Sequence, residues 1–436
     1  MHAFARILVT IALASAGGSA LFSATAPLPP PPDGVVVTDD AFLDSLGINV
    51  HVNYNDGAYA NLGKMADDLR YIGFRHIRTH AGGGPVPLSS YVRLGNSGLR
   101  FNLIAHTNTP ADVTVNFAAA LIKQAPGSVA SIEGFNEINN WPVTYRGQTG
   151  ENAARAAQAE LYSKVRTRAD MLRVPVVYFT GGTAVSDLKG MADMANVHAY
   201  NNNATQPGPW ITLSMRQFTG KAAQAPRMNT EFGNFALPQG WPAGKPWWRG
   251  GTVLGVDQNT QARIVLNGFF EGTARGFRRS FVYELLDEKL DPAMKISGMH
   301  YGLFTFAHQP KTAAKALHNL TGFLREAASS TGGTVTARVE ENSDSIGWVG
   351  IRRKDGSLVL AIWNRSPLWR WNQQSSTPVQ SAMMSAPIRV TSNNAKLQAI
   401  AFDPLTGTRR TLDSVVAGYY DLSVPNYPLL VWLKSS

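Results

Sequence analysis

The sequence predicts an α/β protein: a (β/α)8 TIM barrel followed by a small C-terminal antiparallel β-sandwich domain. Three observations carry this. Between residues 40 and 331, short strand-like runs alternate with helix-like runs eight times, as in a parallel sheet with crossover helices. No Gly-rich phosphate fingerprint follows any of these strands, which weakens the alternative of a doubly wound open sheet. From residue 332 to 436, strand-like runs recur at short spacing, parted by turns such as Asp355-Gly356, the texture of a sandwich.

Composition bounds the rest. A chain of 436 residues holds one large and one small domain, and 44% hydrophobic against 16% charged residues describes a globular core rather than long disorder. Cysteine is absent, which excludes disulfides, thiolate nucleophiles and Cys-bound metals. The net charge of +10 favours an anionic polymer as partner, such as a uronate-bearing polysaccharide. No dense Lys/Arg run is interleaved with aromatics, which speaks against nucleic acid.

Residues 1–26 read as a signal peptide. Arg6 supplies the positive end, Ile7 to Ala16 is an apolar stretch too short to span a bilayer, and small residues lead to Ala20 and Ala26. The expectation is an exported protein, periplasmic or extracellular, with no transmembrane segment once mature. Residues 27–39, opening with Pro27 to Pro32, read as a Pro-rich linker.

The eight barrel strands are expected at 46–54, 74–80, 101–108, 129–135, 174–180, 196–201, 227–233 and 279–286. Helices are expected at 60–72, 111–124, 151–172, 258–275 and 312–328. In the first of these, Leu62, Met65, Leu69 and Ile72 fall at helical spacing. A triple glycine, Gly82 to Gly84, opens the loop after the second strand.

Two strand ends carry the chemistry. The fourth strand runs into Asn136-Glu137, and the seventh, RMNTEFG, contains Glu231. Barrel strands open onto the ligand face at their C-terminal ends. Two glutamates there, 94 residues apart (231 − 137), are the minimum kit for cleaving a glycosidic bond. Residues two apart share a strand face, and this groups Asn49, His51 and Asn53; His76, Arg78 and His80; Asn102, His106 and Asn108; Glu133 and Glu137; His198 and Tyr200; Asn229 and Glu231. So many inward polar groups need partners or a ligand. Glu133 falls below Glu137, with Arg78 as its counter-charge, and reads as structural.

This ordered set resembles the clan A glycoside hydrolases, retaining enzymes on (β/α)8 barrels, and with the sandwich it is similar to family 39. The resemblance implies Glu137 as acid/base and Glu231 as nucleophile. It implies that Asn136 bonds the sugar 2-hydroxyl, that Arg78 is the clan's arginine beside the nucleophile, and that Tyr200 of the His198-x-Tyr200 pair bonds Glu231. Many clan members end strand eight with Trp, where this chain has Phe281, Tyr283 and Glu284. Trp141, close to Glu137, is expected as a sugar-stacking residue, and Trp241, Trp247 and Trp248, in the loop after strand seven, either as stacking platforms or as residues that cap the barrel or pack on the sandwich.

His51 and His106 are expected to bond substrate rather than to form, with His80, a metal triad. Asp287, Glu288 and Asp291 read as a solvated loop. No cofactor and no metal are expected. The reading is an exported retaining β-glycosidase acting by double displacement on an oligo- or polysaccharide, with endo action slightly preferred. Beside it stand an exo-acting β-xylosidase or β-glucuronidase and a non-catalytic carbohydrate-binding protein. Both glutamates are present, which argues against the last.

Overall fold

In the computed structural model the described residues are 34–201, 204–237, 255–294, 296–326, 334–340, 344–371, 376–379, 382–392, 397–416 and 418–435. The signal-peptide reading, most of the linker, and Trp241, Trp247 and Trp248 lie outside them.

Eight parallel strands form one sheet: Leu46–Asn49, His76–His80, Arg100–Ala105, Val129–Phe135, Val176–Val177, Ala195–His198, Arg227–Phe232 and Arg279–Val282. Numbered one to eight along the chain, their order is 5-4-3-2-1-8-7-6. A parallel bridge between Val177 and Met194 joins strand five to the start of strand six and closes the barrel. The apolar runs read from the sequence are buried on both sides, as parallel strands between a core and a helical layer must be.

The helices pack outside. Leu62–Ile72 buries Met65, Leu69 and Ile72, the face its spacing predicts. Gln258–Ala274 is buried almost along its whole length because it lies between the barrel and the second domain, so it lacks the one-sided pattern of a surface helix. Helices Leu88–Asn96 and Pro207–Met215 were not expected. The helix expected at 151–172 ends at Arg166.

Inside the barrel, Val177, Met194, Met228 and Phe281 form a buried apolar cluster contributed from strands five to eight. Gly47 on strand one makes room for it, since a Cβ there would lie 2.5 Å from the Phe281 ring. Two residues further along each strand, parity turns Asn49, Asn196 and Thr230 to the same interior, and all three are buried. The polar layer therefore rests on an apolar plug.

The C-terminal domain is a sandwich. Its larger sheet has the order Val35–Thr38, Ile346–Arg352, Leu358–Asn364, Leu429–Ser435, Leu397–Asp403, Thr408–Leu412. Its smaller sheet joins Val335–Val339, Ile388–Ser392 and Tyr419–Tyr420. Leu360, Ile362, Ile388 and Val431 belong to the core between them. The other face of the larger sheet joins the barrel's core through Trp363, Val349 and Phe402.

The linker reading is corrected here. Val35–Thr38 pairs in parallel with Ile346–Arg352, and Asp39–Ser45 is a helix capped by the Thr38 side chain. The chain enters the barrel through the sandwich's edge strand, not through a free tether.

Candidate active site

Arg78, on strand two, is the hub of the polar layer and is almost fully buried. Its Nε and Nη2 donate to Glu133 Oε2 and Oε1 at 2.9 and 2.8 Å. Its Nη1 donates to Asn49 Oδ1 at 2.8 Å and to Glu231 Oε1 at 2.6 Å. Its Nη2 also reaches Asn136 Oδ1 at 2.7 Å. Burial works against the charge, but Glu133 and Glu231 overcome it and hold the guanidinium protonated.

Glu133 lies beneath, as its parity predicts. Asn102, Asn196 and Thr230 donate to it in addition to Arg78. Burial alone would push its carboxyl up, but Arg78 outweighs this and keeps it below the ordinary carboxylate range. No oxygen of Glu133 is left for substrate, so its role is to fix Arg78.

Strand seven departs from simple alternation. Its register with strand six shifts between Asn229 and Glu231, a bulge that re-aims side chains. Thr230 points inward in phase with Met228 and bonds Glu133 and Asn196, and the bulge lets the next residue, Glu231, face Arg78 as well. Asn229, expected to share the face of Glu231, instead accepts the backbone N–H of Ala199 at 3.1 Å. Glu231 Oε2 accepts the Tyr200 hydroxyl at 2.7 Å. Both oxygens of Glu231 thus receive donors.

Glu137 sits just past strand four with φ +42°, a left-handed backbone uncommon outside glycine. Such strain persists where surrounding bonds over-determine it. Here the Glu137 N–H donates to Thr180 Oγ1 at 3.0 Å, and the Glu137 carbonyl accepts the N–H of Trp141 at 2.9 Å. The side chain is aimed by Asn140 Nδ2, 2.9 Å from Oε2, and by His198 Nδ1, 2.9 Å from Oε1. Burial pushes the Glu137 carboxyl up, but the hydrogen bond and charge of His198 bring it down below its ordinary value. His198 Nδ1 is also 3.7 Å from Glu231 Oε2. One ligand-capable atom from each of Glu137, His198 and Glu231 lies within 4.8 Å of the others.

A second cluster borders this centre at the end of strand eight. His51 Nε2 lies 3.2 Å from Glu284 Oε2 and 3.4 Å from Glu288 Oε1. Tyr59 donates to Glu284 Oε2 at 2.9 Å, while Glu284 Oε1 has no partner among the described residues. Burial pushes Glu284 well above the usual carboxylate range and Glu288 up to about 7, and it lowers His51. The solvated-loop reading of this stretch is thereby corrected. Glu288 is buried, Asp287 is buried on Lys311 at 2.7 Å, and Asp291 bonds His300 at 3.1 Å. Glu284 was missed as a site residue, although its place two residues past strand eight was a usable signal.

The remaining candidates separate. His106 stacks on His80 with centroids 4.7 Å apart, and its Nε2 lies 2.6 Å from the Gly82 carbonyl oxygen. The glycine run permits this, since Gly83 has φ +78° and a Cβ there would sit 2.6 Å from His106. His51 belongs to the strand-eight cluster, so the three histidines form no triad. His76 points to the other end of strand two, onto Asp44. Asn108 caps the backbone of Thr144. Trp141 is 44% exposed, in a position to meet a ligand at the rim. Two groups have the spacing to hold a metal ion, His51 with Glu284 and Glu288, and Glu137 with His198 and Glu231.

No family model and no curated protein matches the chain. Solved structures resemble it in fold. A family 39 glycoside hydrolase from the gut symbiont Bacteroides cellulosilyticus aligns with TM-score 0.54 at 14% identity, over 91% of this chain and 82% of its own. A GH39 enzyme from Xanthomonas axonopodis pv. citri aligns with TM-score 0.52 at 14% identity, over 93% and 96%. A monomeric β-xylosidase from Caulobacter crescentus aligns with TM-score 0.52 at 13% identity, over 93% and 98%. The shared feature is the barrel followed by a sandwich.

Proposed function

We propose that the protein is a retaining β-glycoside hydrolase with Glu231 as nucleophile and Glu137 as acid/base. The carrying observation is that carboxylate oxygens of these residues, from strand ends four and seven, face each other within 4.8 Å. A retaining pair stands about 5–5.5 Å apart, whereas an inverting pair leaves about 6.5–9.5 Å for a water. The similarity in fold to a family 39 glycoside hydrolase and a β-xylosidase accords with this reading.

The chemistry follows from the contacts. Glu231 attacks the anomeric carbon, its charge held by Arg78 and Tyr200. Glu137 gives a proton to the leaving oxygen, and the glycosyl ester on Glu231 forms as the aglycone departs. A water then gives its proton to Glu137 and its oxygen to the anomeric carbon, releasing Glu231. The 2.9 Å bond between Glu137 and His198 carries one proton between two basic atoms. Bound sugar desolvates the carboxylate further, and this favours the proton on Glu137, the form an acid needs. Asn136 has its Oδ1 tied to Arg78, which turns Nδ2 toward a sugar hydroxyl. His51, Glu284 and Glu288 offer buried hydrogen-bonding groups beside the same sugar.

Export belongs to the same proposal, resting on the sequence of residues 1–26. No helix among the described residues is long and apolar enough to cross a membrane. The test of function is hydrolysis of a panel of aryl β-glycosides and polysaccharides by wild type, Glu231→Gln and Glu137→Gln. Activity confined to wild type supports the assignment, and equal activity in all three refutes it. N-terminal sequencing of the protein recovered outside the cytoplasm tests export.

A further inference from the structure

Beside the catalytic centre runs a groove of about 740 Å³. Its walls are the loops that follow strands one, two and eight, with Tyr54, Phe306 and His308, and the helices that continue the first two, with Lys64, Ser90 and Arg93. Loops after parallel strands lie at the C-terminal face of the barrel, where Glu137 and Glu231 also stand. The groove adjoins the site through its wall. Tyr54, at its inner end, stacks flat on His51 with centroids 4.4 Å apart, and His51 belongs to the cluster beside Glu231. The N–H of Ala58, also in the groove wall, donates to the carbonyl of Glu288 at 2.9 Å.

Position assigns the groove to one side of the scissile bond. The leaving group takes its proton from Glu137, past strand four. The groove is centred on strand one, between its neighbours eight and two, and strand one faces strand five across the barrel. A chain entering the groove is therefore the part retained on Glu231, not the part that leaves.

Charge assigns the ligand. No carboxylate lines the groove. His308 is engaged by Asp68, and the nearby Asp56 is engaged by Lys289. Lys64 and Arg93 are exposed; Lys64 interacts at longer range with Asp68, whose carboxylate is already bound by His308. Two exposed cations and no carboxylate in the concave wall itself favour negative ligands, in a protein whose net charge is already +10.

We propose that this groove binds an acidic glycan, a chain of uronate sugars, on the retained side of the cleaved bond, with Lys64 and Arg93 facing its carboxylates. The inference rests on the glycosidase reading above and adds to it that cleavage is internal, because a groove beside the reacting sugar accepts a chain rather than a chain end.

The test is calorimetric titration of the full-length Glu231→Gln protein with β-linked tetramannuronate and with xylotetraose, at low and high salt. An acidic tetramer is expected to bind roughly fivefold or more tightly than xylotetraose, with that advantage lost at high salt and in the Lys64→Ala/Arg93→Ala variant. Equal binding of acidic and neutral tetramers, binding of none, or acidic binding that survives the double substitution overturns the proposal. Aryl glycosides carry a single sugar and do not reach the groove, so their hydrolysis judges the catalytic reading separately.

Discussion

Arg78 Nη1 donates to Glu231 Oε1 across 2.6 Å while Glu133 holds the same guanidinium from below with two further bonds of 2.8 and 2.9 Å. One arginine thus serves two carboxylates, Glu133 below and Glu231, the proposed nucleophile, above. Breaking a buried pair strands the remaining charge, which costs about 3–5 kcal/mol. Arg78→Met should therefore lose activity and fall in stability by that order in urea unfolding. Adding Glu133→Gln to the same variant should restore part of the stability and none of the activity. Wild-type stability in Arg78→Met would contradict the arrangement.

His198 controls when Glu137 holds its proton. Burial raises the Glu137 carboxyl, and the His198 hydrogen bond and charge pull it below its ordinary value. Removing His198 leaves burial unopposed by its largest counterweight, so the carboxyl moves up. The proposed mechanism needs protonated Glu137, so in His198→Asn the basic limb of the kcat/KM profile should shift to higher pH. The profile is measured on an aryl glycoside. A limb that stays in place or moves to lower pH would contradict this role.

Glu288 gives a stability signature. Its carboxyl rises from 4.5 to about 7 in the folded protein, through burial first and the Glu284 charge second. The folded state therefore holds a proton that the unfolded state has released, and stability falls as pH rises from about 4.5 to about 7. Glu288→Gln removes the penalty. It should be more stable than wild type by about 2–3 kcal/mol near pH 7, with the difference vanishing near pH 4. Equal stability of the two proteins at pH 7 would show that Glu288 is not held as the fold describes.

The barrel was legible because its strands are apolar on both faces and bounded by helices of clear period. The helix at Ala111–Gln124 and strand four at Val129–Phe135 fall where the sequence places them. The site was legible where a polar residue stands at a strand end in phase with its neighbours, as Arg78, Glu133 and Glu137 do. It was not legible where the backbone breaks phase. The register shift before Glu231 lets two successive residues, Thr230 and Glu231, both face the interior, which alternation alone forbids. Nor was it legible where burial is decided by distant chain. Glu284 and Glu288 are enclosed by His51 and Tyr59 from the first strand's loop, and Val35–Thr38 is a strand only because Ile346–Arg352 pairs with it.

The most direct test of the central claim is the configuration of the first product released from an aryl β-glycoside, followed by proton NMR in wild type and in the two glutamate variants. The account predicts that the β-anomer appears first. Glu231→Gln should lose roughly 10⁴–10⁶-fold in kcat, and Glu137→Gln roughly 10²–10⁴-fold, with azide restoring turnover in the latter and giving a β-glycosyl azide. The α-anomer appearing first, or undiminished turnover in Glu231→Gln, would contradict Glu231 as the nucleophile of a retaining enzyme.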